Sequence, residues 1–296
     1  MDGGGFLLFL RAFLREIGGV NDKINEENTF GTDSTVDENV LIDFLVSKLN
    51  EPERIPQTTV PSQLLRAENN LSPEDRNATL VRREFTMLSQ LLQACKTNKT
   101  TLQSALVYAL CIAQASQITK SKTISIGVTT PVDLRRLCAR VGYPQEIYDM
   151  MGNLICLSSV FLDVQHEDPV RLFWEMARKY KSLLEQDITT GNIFGMTLSA
   201  QEGLKESPDD LFDLMSPDLN KNGGRVSNLN VSNIGNLDGM FGKPFGDVQL
   251  ESLYGGSWSL SWGDCIYVLI ASIRNTLHLT FASNTVFSEE DINSIV

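Results

Sequence analysis

The chain has 296 residues, of which 42% are hydrophobic and 21% are charged, an ordinary globular composition. This length is enough for one large or two medium domains with a sizeable core. The net charge of −12 argues against a nucleic-acid partner, because phosphate binding needs clustered lysine and arginine side chains.

The cysteines and the apolar runs bear on compartment and membrane association. The cysteines form no CxxC pair and no Cys/His cluster of metal-ligand spacing, so we expect no metal site and reduced core thiols in a cytoplasmic protein. Apolar runs stay far below the ~18–20 residues that span a bilayer, so we expect no membrane span. Export is not expected either, because Asp2 replaces the usual basic start of a signal peptide. The five cysteines are Cys95, Cys111, Cys138, Cys156 and Cys265.

Near the N-terminus, three glycines follow Asp2 and precede apolar residues at helical spacing. This spacing predicts an amphipathic helix over 6–17, which Gly18-Gly19 ends. Gly3–Gly5 next to Asp2 predict a tight backbone turn leading into that helix.

A polar region follows this helix. It includes a second short helix predicted over 40–49 and then a proline-rich irregular connection over 50–80. We place the main boundary in this connection, which divides the chain into an N-terminal part, 1–80, and a C-terminal part, 81–296.

After the boundary, a strand and two helices are predicted. The strand covers 81–85 and the first helix 87–95. Thr100-Thr101 caps a second helix from 102 to about 115. Its apolar face is so wide that we expect a central helix.

Two strands are predicted next. Ile124, Ile126 and Val128 alternate with small or polar residues, which predicts a half-buried strand whose regular pairing Pro131 ends. The run over 151–164 is apolar on both faces and is expected inside a sheet.

The rest of the chain contains one long helix and then mainly strands. Pro169 opens the helix, which extends to about 186. Strands are predicted over 225–235, 248–256 and 258–283, with turns at "GS" and "RN", and Ser288 caps a closing helix. The pattern predicts an α/β fold with a mixed sheet and flanking helices.

Several short motifs in this order resemble the chloramphenicol-acetyltransferase-like acyltransferase superfamily. It includes peptide-synthetase condensation domains, alcohol acetyltransferases and plant acyl-CoA-dependent acyltransferases. The likeness is strongest to the alcohol acetyltransferase group and, within it, to the phthiocerol/phthiodiolone dimycocerosyl transferase type. The residues that carry it are Asp2-Gly3, 6–17, Pro131 to Arg135, Gly152 to Leu154, Asn192-Ile193 and 226–283. The resemblance implies a two-layer CoA-dependent acyltransferase-like fold with an incomplete N-terminal half.

The resemblance also implies an active site of the form His-His-x-x-x-Asp-Gly, whose second histidine is the general base. Aligning its Asp-Gly with Asp2-Gly3 places that histidine before Met1, so the chain is expected to be N-terminally truncated within the motif. His166 and His278 lack this context, and we interpret both as structural residues. No catalytic residue is therefore assigned, and Asp2 and Gly3 are interpreted as a remnant of the motif.

In the resembling family the aspartate forms an ion pair with an arginine of the other half, which implies an ion pair of Asp2 with Arg135. The alternative is a solvated terminal acid and a surface arginine. Ser232 and Asn233 match a strand that lines the family's tunnel, where a hydroxyl or amide would bond a developing oxyanion. The alternative there is a plain strand-end turn. Asp133 is interpreted as a turn or strand-end cap.

By this resemblance, full-length relatives transfer an acyl group from CoA or a carrier-protein thioester to an alcohol or amine. The expected partners are a small acyl donor and acceptor and, in one version, a carrier protein, while no bound cofactor is expected. This chain is expected to be weakly active or inactive. The alternatives are a noncatalytic module that binds acyl groups or a partner, and an incomplete gene model.

Overall fold

The computed structural model describes residues 3–19, 79–116, 123–140, 155–165, 170–194, 227–255 and 266–283, together with 290, 292 and 293. The predicted helix over 40–49, the connection over 50–80 and most of the closing helix lie outside these residues. The same holds for Met1, Asp2 and His166. The division at residue 80 stays a prediction.

The described elements alternate between helices and strands. In chain order they are α1 (Gly3–Ile17), β1 (Thr79–Phe85), α2 (Leu88–Thr97), α3 (Leu102–Ser116), β2 (Thr123–Asp133), α4 (Leu134–Arg140), β3 (Ile155–Gln165), α5 (Phe173–Thr190), a 3₁₀ turn (Asn192–Phe194), β4 (Leu229–Asn236), α6 (Asp238–Phe241), β5 (Ile266–Ile273) and β6 (Thr276–Ser283). The predicted α/β class is confirmed. The cap of α3 is also confirmed, since Thr101 Oγ1 accepts the Ser104 N–H at 3.1 Å.

The six strands form one mixed sheet with the order β1-β6-β5-β4-β2-β3. Neighbours β2, β4 and β5 run parallel, and the other neighbouring pairs are antiparallel. The predicted "RN" turn is confirmed between β5 and β6, where Arg274 and Asn275 have φ of 50° and 63°.

Helices α3 and α5 pack on one face of the sheet, which we call the helix-covered face. Alternate strand residues point to this face and meet the helices in the main core. The main core takes a buried side chain from every strand and from both helices: Val81, Ile126, Leu162, Val231, Ile270, Phe281, Tyr108 and Tyr180. The central position predicted for α3 is thereby confirmed.

Three predictions about strands were wrong. β2 is buried on both faces from Gly127 to Thr130, because the side chains of Phe161 and Asn228 lie against Gly127 on the face opposite the main core. β3 is an edge strand of the described sheet, and Ser159 and Asp163 are exposed within its apolar run. The stretch 248–255 forms no strand beyond a single bridge between Phe245 and Val248.

Helix α1 docks against a second, smaller cluster on the ends of β4 and β5. We call it the α1 cluster; it consists of Leu7, Leu14, Leu237, Phe241, Phe245, Ala271 and Ile273. The end of α1 packs backbone to backbone on the turn after Phe245. A Cβ on Gly18 would lie 2.0 Å from the Phe245 carbonyl oxygen, and one on Gly246 would lie 2.0 Å from the Gly18 carbonyl oxygen. Only glycine fits at this crossing.

The start of α1 differs from the prediction. Gly3–Gly5 form its first turn instead of a tight turn ahead of it. The predicted end is confirmed, since the Gly18 N–H still bonds to the Leu14 carbonyl and Gly19 has a φ of 64°.

The described thiols and helices can be compared with the sequence predictions. Cys95, Cys111, Cys138 and Cys156 are buried and form no disulfide. Burial raises the pKa of the Cys111 thiol far above its usual range, so it stays protonated. Among the helices that the structure describes, none is long and apolar enough to cross a membrane.

Candidate functional site

Parallel strands β2, β4 and β5 end at the same border of the sheet, which we call the carboxyl edge. At this edge β2 leads into α4 and β4 leads into α6. In open α/β sheets, ligands bind outside the carboxyl ends of the strands. The carboxyl edge is therefore the first place to look for a site.

β2 and β4 part before they reach the carboxyl edge. They pair only at Val128–Leu229 and Thr129–Asn230. The backbone of Gly127 faces β4, since its N–H donates to Asn228 Oδ1 at 2.7 Å and its carbonyl accepts the Asn228 N–H at 2.9 Å.

The two strands separate because of Pro131, which follows Thr129 by two positions in β2. The backbone N–H groups of every second residue in a strand point to the same neighbouring strand, so the nitrogen of Pro131 faces β4 as that of Gly127 does. Proline has no N–H to donate to the ladder. Pro131 nevertheless pairs with Leu157 of β3, so the predicted end of pairing is correct on one side of β2 only.

On the β2 side of the carboxyl edge, Asp133 holds Arg135. Asp133 Oδ1 accepts both the Arg135 backbone N–H and its Nη1, each at 3.1 Å. The Arg135 side chain is 3% exposed, whereas that of Asp133 is 37% exposed. The guanidinium is thus buried and fixed by a carboxylate two residues before it, a stronger arrangement than the turn cap expected of Asp133.

On the β4 side, a bulge displaces the strand at Asn233. The register with β5 shifts between Asn233 and Gly235, where the φ of Gly235 is 88°. Asn233 Oδ1 accepts the Gly235 N–H at 2.9 Å. Because the amide oxygen is held in this bond, the Nδ2 group is the part of Asn233 that is left to donate.

Ser232 and Asn233 point to different faces. Ser232 pairs with Leu269, and Asn233 pairs with Ile270, which belongs to the main core. Asn233 therefore lies on the helix-covered side of β4 and Ser232 on the opposite side. A role of both residues in one tunnel wall stays a prediction.

A polar network lies behind the parting strands on the helix-covered face. The hydroxyl groups of Thr130 and Tyr180 are 2.6 Å apart, and Ser158 Oγ donates to Asp187 Oδ2 at 2.6 Å. Burial raises the pKa of Tyr180 to about 12, so it stays protonated. Burial also raises the pKa of Asp187, while hydrogen bonds from Ser158 and Asn192 oppose the rise. Sequence reasoning missed this network because its members are far apart in the chain.

His278 is the only histidine within the described ranges, and it lies in β6, separated from β2 by β5 and β4. Its Nδ1 is 3.3 Å from the Tyr254 hydroxyl and 3.5 Å from Glu84 Oε1. The side chain is 4% exposed, and its Nε2 is buried without a hydrogen-bond partner. This setting agrees with the structural role expected from the sequence.

The predicted site residues have different outcomes. Arg135 and Asn233 lie at the carboxyl edge, Ser232 points to the opposite face, and Gly3 opens α1. The ion pair of Asp2 with Arg135 stays a prediction, because Asp2 lies outside the described residues. The sequence offered one unused signal, the spacing of Asp133 two residues before Arg135.

Comparisons with known proteins add to this geometry. No protein-family model and no curated protein sequence matches the chain. Among solved structures, it is similar to the trichothecene 15-O-acetyltransferase TRI3 of Fusarium sporotrichioides, with 14% identity, 99% of this chain and 62% of that chain covered, and a TM-score of 0.54. It also matches polyketide synthase associated protein 5 from Mycobacterium tuberculosis, with 18% identity, 87% of this chain and 59% of that chain covered, and a TM-score of 0.48.

The chain shares its fold, a mixed sheet with flanking helices, with the trichothecene 15-O-acetyltransferase. Another match is the epimerization domain from the third module of tyrocidine synthetase B, with 12% identity, 87% of this chain and 53% of that chain covered, and a TM-score of 0.48. The chain spans about three fifths of the length of the first two structures. At these identities the likeness establishes the fold and leaves the reaction to the site.

Proposed function

We propose that this chain takes part in acyl transfer from a thioester, carried by CoA or by a carrier protein, to an alcohol or amine. In this reaction the acceptor oxygen or nitrogen forms a bond to the acyl carbon, the carbon–sulfur bond breaks, and the acceptor proton ends on the thiol. Negative charge builds up on the carbonyl oxygen in between. A site for this chemistry needs fixed hydrogen-bond donors and a base.

The observation that carries the proposal is the pair of fixed donors at the carboxyl edge. Arg135 is buried and held by Asp133, and Asn233 is oriented by its bond to Gly235. Both contribute donors whose orientation is set before any ligand binds, and fixed donors stabilise developing charge without reorganising. The tendency of open α/β sheets to bind ligands outside the carboxyl ends of their strands also supports the proposal.

Within the described residues, no histidine at the carboxyl edge could serve as the base. His278 is three strands away and its Nε2 is buried. We therefore expect the 296-residue polypeptide by itself to give little or no transfer, and the ion pair of Asp2 with Arg135 to hold the start of α1 at the edge.

Turnover assays test this expectation. The purified chain, incubated with acetyl-CoA and a panel of alcohols and amines, should release no CoA above the buffer rate. The variants His166→Ala and His278→Ala serve as comparison. Robust turnover that either variant abolishes would contradict the proposed role of these histidines.

A second candidate is a noncatalytic module that binds acyl thioesters, and the distance of His278 from the edge favours it. Thermal unfolding with and without acetyl-CoA tests the thioester binding that both candidates require. A ligand that binds the native state raises the unfolding temperature, so we expect a rise. Turnover above the buffer rate would exclude a purely binding module, and no rise would contradict both candidates.

A further inference from the structure

Two neighbouring arginines follow β2, and their surroundings differ sharply. Arg135 is buried against Asp133, whereas Arg136 is exposed. Among the described residues, Arg136 makes no ion pair and no hydrogen bond. Asp133 thus neutralises one guanidinium, while no acid in the described ranges pairs with the next one.

The side chain of Arg136 reaches across the parting between β2 and β4. Its Nη2 lies 4.0 Å from the position that a Cβ on Gly235 would take. Gly235 has a φ of 88°, so a residue without a side chain is favoured there. Because Gly235 has no side chain, the guanidinium of Arg136 stays accessible on this side.

Arg136 of α4 and Asn233 of β4 both lie near Gly235. Asn233 Oδ1 is occupied by the Gly235 N–H, so its Nδ2 group is available next to the same glycine. Arg136 adds a planar group with several N–H donors that match the oxygens of a phosphate or carboxylate. Asp133 and Asp238 are the nearest acids along the chain; the first is bonded to Arg135 and the second accepts the Arg274 N–H at 2.7 Å.

We propose that Arg136, with Asn233 beside it, binds an anionic group of the ligand, a phosphate or a carboxylate, at the mouth between β2 and β4. The inference rests on the proposed function in placing the ligand at the carboxyl edge. A phosphate would come from the pantetheine arm of the thioester donor, and a carboxylate from the acceptor. Both groups offer oxygen atoms that accept hydrogen bonds from the planar guanidinium of an arginine.

Binding assays with matched ligands test the proposal. Calorimetry compares 4′-phosphopantetheine with uncharged pantetheine, and succinate with its dimethyl ester. The wild-type chain should bind the charged member of one pair about tenfold more tightly, since one charge-assisted contact contributes roughly that factor. The pair that shows the difference identifies the source of the anion.

Variants then assign the effect. Arg136→Gln should abolish the preference for the charged member, Arg136→Lys should retain part of it, and Lys96→Gln, the same charge change on the exposed end of α2, should leave it intact. Circular dichroism and the unfolding temperature check that each variant is folded. An undiminished preference in Arg136→Gln would overturn the inference.

A separate readout keeps this result distinct from the proposed function. The side-chain Nε–Hε resonance of Arg136 is followed by NMR during titration with inorganic phosphate or succinate. If pantetheine compounds do not bind at all, the proposed function fails, yet a saturating shift of this resonance still supports an anion site. No shift with either anion overturns the site itself.

Discussion

The main core takes side chains from all six strands, whereas the α1 cluster rests on the ends of β4 and β5, on α6 and on the segment after it. Residues of the main core are tied into the sheet by backbone ladders. Helix α1 is tied in by side chains and by one glycine crossing. The difference indicates that the sheet can stay folded while α1, which borders the carboxyl edge, is released.

The largest expected effects come from one phenylalanine in each cluster. Phe281 in the main core and Phe241 in the α1 cluster are 1% and 0% exposed. Phe281→Ala should lower the free energy of unfolding by about 4 kcal/mol, because it leaves a cavity in the main core beside Val81 and Val268, its neighbours on β1 and β5. Phe241→Ala should instead release α1 and leave the sheet folded.

Hydrogen exchange distinguishes the two outcomes. In Phe241→Ala the amides of α1 should lose protection while those of β5 and β6 keep it. Equal loss of protection in α1 and in the sheet would show that the two clusters unfold together.

Substitution of Gly246 targets the crossing itself. A Cβ there would lie 2.0 Å from the Gly18 carbonyl oxygen, and the φ of Gly246 is 58°. Gly246→Ala should cost on the order of 3 kcal/mol in urea unfolding, through strain and overpacking. Gly239→Ala is the matched control, because nothing lies within 4 Å of its added Cβ. If both variants were neutral, the glycine crossing would not hold α1.

At the carboxyl edge, Asp133→Asn tests how firmly Arg135 is fixed. The amide can still accept one hydrogen bond, but the charge opposite the buried guanidinium is lost. Because Asp133 is partly exposed, we expect a loss of about 1 kcal/mol in unfolding free energy. Asp163→Asn, on the exposed side of β3, should change the stability by less than about 0.5 kcal/mol. A larger cost at Asp163 would contradict this assignment.

The smallest effect concerns pH. Burial raises the pKa of Asp187 above the ordinary value of an aspartate side chain. The folded state therefore favours the protonated acid, and this contribution to stability is complete below the ordinary aspartate pKa and is lost as the pH rises through the folded pKa. Asp187→Asn should remove this dependence, so wild-type should lose a few tenths of a kcal/mol relative to the variant over that range. Parallel stability curves for the two proteins would refute the assignment.

Elements set by local spacing were predictable from the sequence. The helical periodicity over 6–17 and the threonine cap before α3 both describe the structure, and the strand around Val231 was found as well. These features depend on neighbours within a few residues, which a sequence shows directly.

Features that depend on strand order were not predictable. β3 reads as an internal strand until the sheet places it at an edge, where Ser159 and Asp163 face outward. The crossing of Gly18 with Gly246 joins residues that are far apart in the sequence. Asp133 and Arg135 were both noticed, but their bond depends on how β2 turns into α4.

The proposed binding place of the thioester ligand is the carboxyl edge, between the ends of β2 and β4. Amide chemical shifts recorded during titration with acetyl-pantetheine test this placement directly. The largest shifts should fall within 131–136 and 232–236, and the amides of α2 should not move. Shifts confined to α2 and α5, or none at saturating ligand, would contradict the account.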